Sequence, residues 1–224
     1  MNDENKNLEN FMDIKLSSEQ LDVLKELGNI GSGHAITALS NLLNSKVRVE
    51  LTSVKIIPFW KIPELFDNPN ADVFGIFSKI ADKENLSIIQ IFTKESVINL
   101  INRLTEFDKI FIENIESIND LDQLSYSIIN EIGNILAAHY SNALADLMSI
   151  KIVPDIPKLA LDNLTALLNE IIAKYSQLSD YTIIIKTKLS TKKMKLDGII
   201  CLIISMNALY DLFNILKIKY DLNF

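Results

Sequence analysis

One string occurs twice in this chain. Residues 26–46 read ELGNIGSGHAITALSNLLNSK, and residues 131–151 read EIGNILAAHYSNALADLMSIK. At a constant offset of 105, nine of these 21 positions carry the same amino acid. The matches include Glu26 and Glu131, Gly28 and Gly133, Asn29 and Asn134, Ile30 and Ile135, and His34 and His139. Unrelated segments would share about one or two, so the chain is an internal duplication. This limits the fold to architectures that can be made from one unit used twice.

The pattern on either side of each copy repeats as well. Residues 1–16 read as a frayed tail. Ser17 or Ser18 caps a helix through its hydroxyl, and Leu21, Leu24, Leu27, Ile30, Leu39, Leu42 and Leu43 recur at helical spacing. Residues 47–59 are strand-like and PELFDNPNAD is turn-rich. VFGIFSKIA and LSIIQIFTK form a hairpin around DKEN, and a helix follows from about Glu95 to Leu104. In the second half a long helix is expected from near Leu121 to Met148, then a strand over 150–156. An amphipathic helix over 159–178 has no counterpart in the first half. A second hairpin follows, YTIIIKTKL and GIICLIISM around STKKMK, and a last helix spans about 206–217. The expected architecture is an α/β (α+β) body with pseudo-two-fold symmetry, one domain over 17–217 made of repeats 17–104 and 121–217. Its hairpins join into a mainly antiparallel sheet with the two long helices on one face.

Bulk properties narrow the function. The 224 residues are 48% hydrophobic and 23% charged, as expected of a chain with a real core. The net charge of −7 repels a phosphate backbone, so nucleic acid is not an expected partner. The densest basic cluster, STKKMKLDG, reads as a solvated hairpin loop. The single cysteine, Cys201, lies among apolar neighbours and reads as a buried thiol rather than a nucleophile. It allows no internal disulfide, which fits a reducing compartment. The N-terminus lacks the basic and apolar regions of a signal peptide. No apolar run reaches the roughly 20 residues that span a bilayer. A cytoplasmic protein without membrane insertion is expected.

The duplicated polar residues carry the functional question. Glu26 and Asn29 are three apart and share a helix face, as do Glu131 and Asn134. Asp22 and Ser127 stand four residues before each glutamate, on the same face. A solvated helix face would account for a single such ridge. Two details favour function. Asparagine is a poor mid-helix residue, because its side chain competes for the backbone. Gly28 and Gly133 each cost a helix about 1 kcal/mol relative to alanine. Such a ridge contains no nucleophile, phosphate loop or metal cluster. Its amide can hold a water by accepting one hydrogen bond and donating another, and its carboxylate can pair with a partner's lysine. Phosphoryl transfer needs little more than such alignment.

With Asp22, Glu26 and Asn29 in one half and Ser127, Glu131, Asn134 and Pro157 in the other, the chain resembles the CheC family. This is the CheC, CheX and FliY group of chemotaxis phosphatases that dephosphorylate the response regulator CheY. The family pattern is Asp or Ser, three residues, Glu, two residues, Asn, and a proline about 21 or 22 residues on. The second half fits in full, with Pro157 after 22 intervening residues. The first half departs from it: Thr52 stands where Pro157 is expected, and Pro58 comes too late. The resemblance implies that each glutamate docks the regulator's active-site lysine and that each asparagine orients water toward the aspartyl phosphate. It implies that Mg²⁺ is supplied by the regulator, so the chain has no metal or cofactor of its own. Two working sites are expected, the second more complete.

The alternative is a non-catalytic module that captures phosphorylated CheY or docks the receptor deamidase CheD. A FliY- or FliM-type switch protein is disfavoured because no further domain follows the second repeat, and a CheX-type protein because it carries one motif. His34 and His139, about 140° round the helix from their asparagines, are expected on the face where the long helices pack.

Overall fold

The computed structural model describes residues 16–80, 83–105, 115–149, 151–177, 180–191 and 196–220. The expected tail, except Leu16, and parts of the two hairpin loops lie outside the described residues.

Helix α1 spans Ser18–Leu42. Ser17 caps it: the Gln20 N–H donates to the Ser17 hydroxyl at 3.1 Å, and the Ser17 N–H donates back to the Gln20 side chain at 2.9 Å. This reciprocal pair satisfies two amides that have no partner within the helix. Leu24, Leu27, Gly28, Gly31, Ser32, Ala35 and Leu39 form its buried stripe, whereas Leu42 is exposed. Strand β1, Arg48–Pro58, leads into a 3-10 helix, Phe59–Leu65. Strands β2 (Asp72–Ile80) and β3 (Lys83–Thr93) form the first hairpin. Helix α2, Lys94–Leu104, is capped by the Thr93 hydroxyl.

After a short 3-10 turn at Ile118–Asp120, helix α3 spans Gln123–Met148. Its cap is Asp122, whose carboxylate accepts from the Ser125 N–H at 2.8 Å and the Ser125 hydroxyl at 2.9 Å. These bonds, the backbone one foremost, hold the carboxyl below its ordinary value. Then come β4 (Lys158–Asn163), α4 (Leu164–Tyr175), β5 (Tyr181–Thr191), β6 (Leu196–Ser205) and α5 (Met206–Tyr220).

The six strands form one antiparallel sheet in the order β1-β5-β6-β3-β2-β4. Exchanging the halves (β1 for β4, β2 for β5, β3 for β6) reverses that order and leaves it otherwise unchanged. A pseudo-two-fold axis therefore passes between β3 and β6. Each half sends its first strand across to the other half's hairpin: β1 pairs with β5, and β4 with β2.

Strand residues alternate between two buried faces. Ile76, Ile88, Phe92, Ile185, Ile200 and Leu202 join the core under the helices, with residues from α1, α2, α3 and α5. Val73, Ile89, Ile91, Ile184, Cys201 and Ile203 pack on the reverse face against Phe59, Ile62, Leu164, Leu168 and Ile171. Cys201 is buried as expected, and that burial pushes its thiol up to about 12.

Two sequence expectations need correction. The strand expected over 150–156 is, among the described residues 151–156, a single bridge from Pro154 to Ile80. The strand lies instead at Lys158–Asn163, all but its first residue inside the segment expected to be helical. Pro157 has no N–H for a ladder, so regular pairing begins just after it. Asn163 then caps α4 by accepting from the Thr165 N–H at 3.0 Å. In the other half Thr52 imposes no such stop: β1 runs through it, with a register shift between Leu51 and Ser53. Helix α4 also has a counterpart, because the 3-10 helix Phe59–Leu65 occupies the same connection in the first half.

Candidate functional site

The period of the two long helices fixes the ridges. Asp22, Glu26 and Asn29 on α1, and Ser127, Glu131 and Asn134 on α3, are all exposed. The residues behind them are buried: Leu24, Leu27 and Gly28 on one helix, Ile129, Ile132 and Gly133 on the other. Among the described residues, none of the side chains of Glu26, Asn29, Glu131 and Asn134 has a hydrogen-bond partner, so all four are available to an incoming molecule.

The flanking residues differ between the ridges. Asp22 is engaged by Lys25 at 2.9 Å, and the Ser127 hydroxyl donates to the Gln123 carbonyl at 2.8 Å. The position one turn further toward the N-terminus is Glu19 on α1 and the half-exposed Leu124 on α3. The first ridge thus presents three carboxylates and a paired lysine, and the second presents one carboxylate. Pro157 is buried, immediately before β4.

The glycines in the ridge helices have distinct uses. A Cβ on Gly133 would lie 2.5 Å from Ile76 Cγ2, so its absence lets α3 settle onto β2. A Cβ on Gly31 would lie 2.7 Å from the Tyr140 ring, so this glycine makes room for Tyr140 of α3. Tyr140 is fully buried and donates to the Thr187 hydroxyl at 3.0 Å. Burial pushes its phenol up to about 12. His34 and His139 meet edge to face with ring centroids 6.3 Å apart, on the helix–helix contact as expected. Burial first, and the neighbouring His34 second, hold His139 below its ordinary value.

One residue beneath the second ridge was not singled out from sequence. Gln90 on β3 is fully buried and donates its side-chain amide to the Gly133 carbonyl at 2.7 Å. The signal was visible as a lone amide in the apolar run LSIIQIF. Among the described residues, no three His, Cys, Asp or Glu side chains cluster to hold a metal. A cavity of about 380 Å³ lies on the reverse face, between β2, β4 and α4, and none of the ridge residues lines it. The ridge residues stand exposed on their helices, where they can reach the surface of a partner.

The whole body matches the fold of FliY from Thermotoga maritima, with a TM-score of 0.67 at 16% identity, over 92% of this chain and 100% of that one. Sheet and helices thus share the fold of that protein. The CheC-like family profile matches residues 19–50 and 124–158, two blocks that contain all seven candidate residues. The CheY-P phosphatase CheC of Bacillus subtilis is 32% identical over 177 residues, covering 78% of this chain and 81% of that protein. The flagellar motor switch phosphatase FliY of Bacillus subtilis is 36% identical over 75 residues, 34% of this chain and 20% of that one. The chain belongs to the CheC-like family.

Proposed function

We propose that this protein is a phosphatase for the aspartyl phosphate of a CheY-type response regulator, working through two pseudo-equivalent ridges. The observation that carries the reading is the pair of unengaged Glu and Asn side chains presented outward on each of two symmetry-related helices, in a family that includes a CheY-P phosphatase. Glu26 or Glu131 pairs with a lysine beside the regulator's phosphorylated aspartate and fixes the docking. Asn29 or Asn134 enters the regulator's pocket. Its carbonyl accepts a hydrogen bond from a water, which is thereby oriented toward phosphorus. The water oxygen forms the new P–O bond as the bond to the aspartate oxygen breaks. Inorganic phosphate leaves and the carboxylate is restored. The chain supplies no nucleophile, and Mg²⁺ is the regulator's own. Asp22, Ser127 and Pro157 shape the surroundings of these pairs.

Phosphate release from a ³²P-labelled CheY-type regulator tests this. The wild type is expected to accelerate decay. Asn29→Ala and Asn134→Ala should each remove one site's share, and the double variant should lose about 100-fold or more, the scale of removing one well-placed polar group. A double variant as fast as wild type would refute the catalytic assignment. Tight binding of the phosphorylated regulator without faster decay would instead identify a capture module.

A further inference from the structure

The two ridges are built on different floors. Under α3, Gly133 rests on Ile76, and Ile76 pairs across the β2–β3 ladder with Gln90. Gln90 donates to the Gly133 carbonyl at 2.7 Å. That carbonyl belongs to the peptide bond leading into Asn134, so the sheet grips the backbone that carries the asparagine. The hairpin registers place Ile185 and Leu202, themselves paired, where Ile76 and Gln90 stand in the other half. Leu202 is fully buried and has no hydrogen to donate.

The Gln90 contact is not an incidental polar pair. The side chain is fully buried, and its Oε1 has no partner among the described residues. An orphaned buried acceptor costs stability, so leucine would be the better residue here for stability alone. The other half uses leucine at that place.

We propose that Gln90 is a positioning residue of the second site, holding the peptide of Asn134 in register, and that the first site lacks this support because Leu202 replaces it. The inference rests on the phosphatase reading. Alignment is the chemistry that such a brace serves, since a displacement of about 1 Å in a positioning group can cost on the order of 100-fold in rate.

The test isolates each site. In an Asn29→Ala background, which leaves the second site active, Gln90→Leu is expected to lower kcat about tenfold with KM changed less than twofold. Its thermal midpoint should not fall, because the mirror position already accommodates leucine. In an Asn134→Ala background, which leaves the first site active, Leu202→Gln should raise kcat severalfold, a gain that general damage to the fold cannot produce. An active parent whose kcat is unchanged by Gln90→Leu would overturn the inference while leaving the phosphatase reading intact. If Gln90→Leu does not fold, the Leu202→Gln variant decides, and no gain there overturns it. A wild type that leaves the regulator's phosphate untouched would remove both.

Discussion

At position 133 a single methyl group separates two demands on the same helix. Glycine weakens the helix by about 1 kcal/mol relative to alanine. An alanine Cβ, however, would sit 2.5 Å from Ile76 Cγ2, well inside contact distance. Overpacking of this kind costs about 1–3 kcal/mol, which exceeds the gain in propensity. Gly33, on the exposed side of α1, has nothing within 4 Å of where its Cβ would be. The two substitutions therefore have opposite signs. Gly133→Ala is expected to lower stability in chemical denaturation by about 1–2 kcal/mol, and Gly33→Ala to raise it by about 0.5–1 kcal/mol. Equal effects would mean that α3 can lift away from β2 without cost. The same contact bears on function, because a lifted α3 moves Asn134 with it.

At the scale of elements, the two long helices meet through an imidazole pair at 6.3 Å. The folded state favours neutral His139, since burial and then His34 lower its pKa from 6.5. The unfolded chain therefore binds the proton more readily. By linkage, the stability from neutral His139 is fully present above pH 6.5 and declines as pH falls below it. Asp120, which accepts from the Glu116 and Ser117 N–H groups, and the cap Asp122 act in the same direction in a lower window, because hydrogen bonds depress both below 3.8. Acidification should thus lower the thermal midpoint in two stages. His139→Gln is expected to flatten the stage that begins near pH 6.5 and leave the more acid one. An unchanged profile in that variant would exclude His139 as the cause.

Much of this level was legible in the sequence: the duplication, both hairpins, both long helices and the exposure of Glu26, Asn29, Glu131 and Asn134 all follow from period and repeat. The β4 region was not. KLALDN has three apolar residues within helical reach of LTALL, and only pairing with β2 makes it a strand. Gln90 was missed for the same kind of reason. Its meaning comes from the Gly133 carbonyl 43 positions away, and the local pattern of a strand does not encode what lies above it.

At the scale of the whole molecule, the palindromic sheet makes each half incomplete. Within residues 17–104, β1 has no neighbour, because its ladder is with β5 of the other half. In the same fragment β2 loses β4, and β3 loses β6. The functional parts are exchanged in the same way. Helix α3 of the second repeat rests on Ile76 and Gln90 of the first, so the better-braced ridge is assembled from both halves. We infer that the repeats form one folding unit despite their origin as two copies of one unit. Expressed alone, residues 17–104 would expose several unpaired strand edges and a core face without its helix. Two copies could satisfy those edges by rebuilding the palindrome, with β1 of each copy laid on β2 of the other and the two β3 strands meeting at the centre. The fragment is therefore expected to be either unfolded or a two-fold dimer. Sedimentation and circular dichroism across a dilution series distinguish these states, and structure should be lost as the dimer dissociates. A fragment that stays folded and monomeric on dilution would show that the strand exchange between halves is dispensable. Mixing fragments 17–104 and 121–217 should restore the complete sheet and, with it, the Gln90 brace beneath Asn134 that neither homodimer contains.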